Sequence, residues 1–295
     1  MEPFVLLFIL YFIFGQIGLT VSAFHGAASL LWIPSALGLG ALILKGYRLW
    51  PAVACASFVL YVSSGLGIGT SVLLAACQTL EALACAYVLL HMVGFRTDLK
   101  RQRDNIGLTV VGCVGPALSA TLATLLMLLV GTVPLESSLQ FWVIWWAGSA
   151  ISIIVLLPFL LKWLSKPRFS RTTGQYTELG LALVAVCVTA LFVFWTSNTQ
   201  AYYLCIPLTW VALRTGPRGM TAALALAAFV ATIGTLFGLG PYGNETLLGL
   251  GIFFITTGAL FLIFTSIVAE RKDAGRELAG HVAELQQALS TIRSE

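Results

Sequence analysis

The sequence predicts an all-α, polytopic transmembrane helical bundle, and three observations carry that prediction. Hydrophobic residues make up 59% of the 295 and charged residues 9%, with a mean hydropathy of +0.95, a composition that excludes a soluble globule. The apolar residues fall into about ten segments of membrane-helix character, or eight spans if two short segments turn back inside the bundle. The 16 Lys and Arg residues gather in alternate connections.

Taken in order, the apolar segments are 4–21, 28–44, 49–63, 69–91, 106–131, 139–161, 179–195, 201–213, 220–238 and 246–269. The first reads as a retained helix: it lacks a basic leading flank, although Val21-Ser22-Ala23 loosely fits a cleavage site. Segments 49–63 and 201–213 are the short ones. The cations cluster at Lys45 and Arg48, at Arg96 to Arg103, at Lys162 to Arg171, at Arg214 and Arg218, and from Arg271 onward, with two apolar segments between successive clusters. Loops around His25, Gly65, Glu136, Asn198 and Asn244 carry none. Under the positive-inside rule, five hairpins then leave both termini in the cytoplasm. Tyr47, Trp50, Trp163, Trp195, Tyr202 and Tyr203 fit an interfacial belt at these boundaries. All six cysteines lie within apolar segments, so no disulfide framework is expected.

One acid breaks the pattern. Glu81 lies near the middle of segment 69–91, where a carboxyl group costs several kcal/mol unless it is paired, protonated or wetted. Gln78 and Cys77, three and four positions earlier, share its helical face, and Cys85 extends the stripe. That face points into a bundle as a ligand, ion or proton site, or as an interhelical hydrogen bond that fixes register; both readings stay open. On the sixth segment Trp142 pairs with Trp145 at i, i+3 or with Trp146 at i, i+4, as part of the belt or as the wall of an outward-open pocket. Pro34, Pro51, Pro116, Pro158 and Pro207 permit kinks or polar contacts at depth.

After Ala269 the chain becomes charged, yet Leu278, Val282, Leu285, Leu289 and Ile292 recur at spacings of four, three, four and three. That is an a/d seam, the signature of a dimeric coiled coil entered directly from the last apolar helix. The expected organisation is a transmembrane domain over 1–269 and a cytoplasmic signalling helix over 270–295, whose seam still runs at Glu295 as the start of a linker to an output domain. No phosphate loop, HExxH, CxxC or Gly-x-Ser-x-Gly occurs, so the reading includes no catalytic residue, metal or cofactor, and no nucleic-acid partner. His281 sits on the tail beside the seam without an adjacent acid and reads as a solvated surface histidine.

Several local motifs come in a recognisable order. They are Trp32-Ile-Pro34-Ser-Ala-Leu-Gly38, Gly46-Tyr-Arg48-Leu-Trp50-Pro51, Gln78-Thr79-Leu80-Glu81-Ala82, Trp145-Trp146-Ala-Gly148-Ser149, Leu213-Arg214-Thr-Gly216-Pro217-Arg218-Gly219, Gly238-Leu239-Gly240-Pro241 and Ala269-Glu270-Arg271. The ordered set resembles the bacterial integral-membrane sensory family called the membrane-associated sensor, first type. Ser149 stands where that family commonly has an aspartate, which leaves Glu81 to find Ser149, Ser152 or a backbone carbonyl instead. The resemblance implies a sensor in the bacterial inner membrane, joined at its C-terminus to a histidine kinase, a diguanylate cyclase or a c-di-GMP phosphodiesterase. On that reading Gln78, Glu81, Trp142, Trp145, Trp146 and Ser149 bind a small molecule or membrane partner, and the seam from Leu278 to Ile292 holds a homodimer. A small-molecule transporter and a non-catalytic membrane scaffold are the alternatives; inverted symmetry between halves would mark the transporter, and Glu81 has no counterpart in the second half.

Overall fold

The computed structural model describes residues 2–20, 31–165, 173–196, 200–242 and 247–294, and the described part of each of the ten apolar segments contains a helical rod. The helices are α1 (Glu2–Thr20), α2 (Ile33–Lys45), α3 (Trp50–Ser63), α4 (Ile68–Tyr87), α5 (Gln102–Leu129), α6 (Ser138–Ile151), α7 (Leu157–Leu164), α8 (Thr173–Trp195), α9 (Cys205–Arg214), α10 (Gly216–Leu236) and α11 (Leu247–Ser294). Helices α6 and α7 are one rod joined by a π turn at Ser152–Leu156, and a second π turn, Val88–Val93, ends α4. No strand occurs among the described residues.

Seven of these rods are long and apolar enough to cross a membrane. Helices α2, α3 and α9, of 13, 14 and 10 residues, fall short of the roughly 20 that a bilayer requires. The short α2 departs from the segment expected at 28–44, and residues 28–30 lie outside the described residues. Proline explains several boundaries, because its missing N–H costs nothing in a first helical turn. Pro34, Pro51 and Pro217 begin α2, α3 and α10. At Pro158 the preceding turn widens, and the Leu157 amide donates to Ser152 O, five residues back, which keeps the rod continuous past the proline.

Packing is set by small residues and by hydroxyls. Helix α1 lies on α2 and α3, where Tyr11 is buried with its hydroxyl 2.8 Å from Ser57 Oγ. Helix α4 packs on α2, α3 and α5, and α5 packs in turn on α6 and α11. Two glycines bring α5 close: a Cβ on Gly112 would lie 2.8 Å from Ile154 Cγ1, and one on Gly115 would overlap Cys85 Sγ of α4. In the second half α8, α9 and α11 surround α10, and Phe194 meets Tyr242, Phe253 and Phe254 at ring-centroid distances of 6.4, 6.0 and 5.9 Å. Gly240 there has φ +80° and sits so close to Phe194 O that a Cβ would be 2.6 Å away.

The basic connections meet at one end. Tyr47 stacks on His91, Lys162 Nζ donates to Asp98 O, Arg214 pairs with Glu178 at 2.6 Å, and Lys100 reaches Asp273 at 2.6 Å. This basic end is where α11 leaves the bundle, and the helix continues without interruption to Ser294.

Candidate functional site

Glu81 is 2% exposed and lies where α2, α4, α5 and α6 converge. The route from sequence to site is local. Gly115 lets α5 press against Cys85 of α4, and one turn further along each antiparallel partner, Ser119 comes opposite Glu81. Ser119 Oγ donates to Glu81 Oε2, and Ser35 Oγ donates to Glu81 Oε1 at 2.9 Å. Ser35 Oγ is also 3.0 Å from Ser149 Oγ and 3.5 Å from Gln78 Oε1. Because a hydroxyl carries one proton, Ser35 can donate to only one of these oxygens at a time. The cluster therefore has a hydrogen bond that can change partner without any helix moving.

An aromatic column adjoins the carboxyl group. Trp145 Nε1 donates to Ser119 Oγ at 3.3 Å, and the rings of Trp32, Tyr61 and Trp145 stack in series with centroids 6.5 and 6.4 Å apart. The Trp32 backbone amide donates to Gly148 O at 3.1 Å, tying the start of α2 to α6. Trp32 Nε1 is buried and meets no acceptor among the described residues, whereas the Tyr61 hydroxyl has Gln78 beside it. A buried donor left open costs about 1–3 kcal/mol and stands ready for an acceptor.

The residues expected at the site are partly brought together. Gln78, Glu81, Trp145 and Ser149 converge, with Ser149 joined through Ser35. Ser152 does not join them; it donates to Gly148 O at 2.9 Å within its own helix. Trp142 and Trp146 stack on each other at 5.9 Å and turn to α5, donating to Thr121 Oγ1 at 3.0 Å and Cys113 O at 2.9 Å, away from Trp145. Of the two partners that spacing offers Trp142, it takes Trp146, and the single residue step of about 100° between Trp145 and Trp146 lets Trp145 face the carboxyl group instead. Sequence reasoning missed Ser35, Ser119, Trp32 and Tyr61. Ser35 lay inside a motif already singled out, whereas Ser119 offered only its position three residues after Pro116.

A second constellation, also unforeseen, fixes the root of α11. Glu270 Oε1 accepts the Gln102 amide at 3.0 Å, capping α5; Lys272 Nζ donates to Leu213 O at 2.6 Å, at the end of α9; Asp273 binds Lys100. Higher up, Asn105 Nδ2 donates to both Leu99 O and Leu262 O, at 3.1 and 3.3 Å. Leu99 is held there at φ 52°, a conformation that costs a non-glycine residue about 1–3 kcal/mol. Beyond the clamp, Leu278, Leu285 and Leu289 are exposed by 65% or more and Val282 by 46%. The side chain of Ile292 lies outside the described residues. His281 is exposed, and Glu284, one turn on, is 3.6 Å from its Nδ1.

Comparison with known proteins adds one positive finding. Neither the curated proteins nor the solved structures contain a match to this chain. The MASE1 family model matches residues 3–272, which takes in every helix of the bundle and the root of α11. The chain therefore belongs to the MASE1 family of membrane sensory domains.

Proposed function

We propose that the Glu81 centre perceives a small molecule or a membrane partner, and that α11 relays its state to a cytoplasmic histidine kinase or c-di-GMP output domain. The observation that carries this reading is the double engagement of α5. Through Ser119 it holds Glu81, and through Gln102 and Asn105 it holds α11. Fourteen residues separate Ser119 from Asn105, about 21 Å along a helix. A shift or rotation of α5 that accompanies a change of partners at Glu81 thus reaches the α11 root along one continuous helix, in which Pro116 lies between the two contacts. A ligand drives such a shift only by binding one arrangement more tightly than the other.

The basic end faces the cytoplasm on this reading, as the clustering of Lys and Arg there favours. The exposed leucines of α11 then form a parallel dimer seam with a second copy. Disulfide cross-linking of a Leu285→Cys chain in bacterial membranes tests the relay. Replacing Glu81 by Gln changes the donors and acceptors at the centre, and the cross-linking yield or its heptad pattern along the seam is expected to change with it. An identical pattern in both chains would contradict the relay.

A further inference from the structure

A cleft of about 330 Å³ opens at the basic end between α11, the start of α8, the turn from α9 into α10 and the connection before α5. Four cations, Lys100, Arg214, Lys272 and Arg276, and two carboxylates, Glu178 and Asp273, line it. The carboxylates do not balance the cations. Asp273 is shared between Lys100 at 2.6 Å and Arg276 at 3.3 Å, Glu178 takes Arg214 at 2.6 Å, and Lys272 makes no ion pair among the described residues, reaching only the Leu213 carbonyl. The formal excess is two positive charges, held on three separate elements around one concave space. Crowding like charges around a cleft is unfavourable unless an anion completes it. Guanidinium and ammonium groups together match the oxygens of a phosphate, Arg by its fork of donors and Lys as a point charge.

We infer that this cleft binds a phosphate-bearing anion, either the headgroup of an anionic phospholipid or a soluble phosphorylated compound. The volume falls at the lower end of the range for small-molecule sites, which suits a headgroup or a diphosphate. The site is separate from the Glu81 centre and does not depend on what that centre binds. Its ligand competes with Asp273 for Lys100 and Arg276, so occupancy also loosens one of the contacts that hold the α11 root.

The purified full chain in nanodiscs tests this with two probes. Inorganic pyrophosphate is titrated calorimetrically into phosphatidylcholine discs, and retention of phosphatidylglycerol from a mixed bilayer is read by native mass spectrometry. At least one probe is expected to bind, and the K272E/R276E pair is expected to weaken that probe at least tenfold. The R48E/R271E pair removes the same charge outside the cleft and is expected to stay within about twofold of the parent. If the reversal prevents folding, K272Q/R276Q serves in its place. Pyrophosphate binding alone identifies a soluble ligand, phosphatidylglycerol alone a lipid, and both the shared phosphate group. Binding of neither probe, binding unchanged in the cleft variants, or equal loss in both charge-reversed pairs overturns the site.

Discussion

The approach of α4 to α5 at Gly115 is the contact on which the Glu81 centre depends, and it can be tested by a size exchange. A Cβ at position 115 would overlap Cys85 Sγ but lie 3.9 Å from Cys85 Cβ. Non-bonded atoms settle at about 3.5–4.0 Å, so Gly115→Ala forces either a displacement on the order of an ångström between the helices or a thiol rotation away from Val111 O. Overpacking of this kind costs about 1–3 kcal/mol. Alanine also gains about 1 kcal/mol of helix propensity, which would obscure the clash in a single measurement. The remedy is a cycle with Cys85→Ala, in which the thiol is gone and the new methyl group meets Cβ at ordinary contact distance. The propensity gain is common to both backgrounds and cancels, leaving the clash as a coupling energy of about 1–3 kcal/mol. Reversible unfolding in mixed micelles by SDS, followed by tryptophan fluorescence, gives the four stabilities. A coupling below about 0.5 kcal/mol would refute the close approach, and with it the reason Ser119 stands opposite Glu81.

Three other outcomes follow from contacts described above. Ser119→Ala strips Glu81 Oε2 and Trp145 Nε1 of a partner, and membrane hydrogen-bond energies set the expected loss at about 0.6–2 kcal/mol, read by the same unfolding assay. Asn105→Leu leaves the Leu99 and Leu262 carbonyls without its amide and is expected to cost about 1–3 kcal/mol while raising proteolysis of the connection before α5; unchanged stability and cleavage would remove the strut. Leu285→Asp puts a charge on the exposed seam, and cross-linking between tails is expected to disappear while membrane insertion is retained. Persistent cross-linking would remove the coiled coil.

The fold was largely legible because membrane spans are a local property of composition. Ten apolar runs became ten rods, and the loops that carry Lys and Arg came to one end, since neither feature depends on how the helices pack. The site was legible only at Glu81 and Gln78, where polarity inside an apolar helix is itself a signal. Its donors were not. Serine is common in such helices because it can satisfy itself on the preceding turn, as Ser57 and Ser152 do, so its presence does not say which neighbour it serves. Which serine meets Glu81 is decided by Gly115 and by the start of α2 at Pro34, which are facts of packing. The three tryptophans show the same limit: spacing lets Trp142 pair with Trp145 or with Trp146, and only the bundle decides that Trp146 takes the stack and Trp145 meets the carboxyl group's partner Ser119. The clamp on α11 joins positions more than 50 residues apart, beyond any local pattern.

The central claim is that the Glu81 centre and the α11 root are coupled through α5. Hydrogen exchange of the amides from Glu270 to Arg276, compared between the parent chain and Ser119→Ala in nanodiscs, tests it most directly. Coupling predicts faster exchange there when the distant hydroxyl is removed, with the amides of α8 unaffected. Identical exchange across the α11 root in the two chains would contradict it.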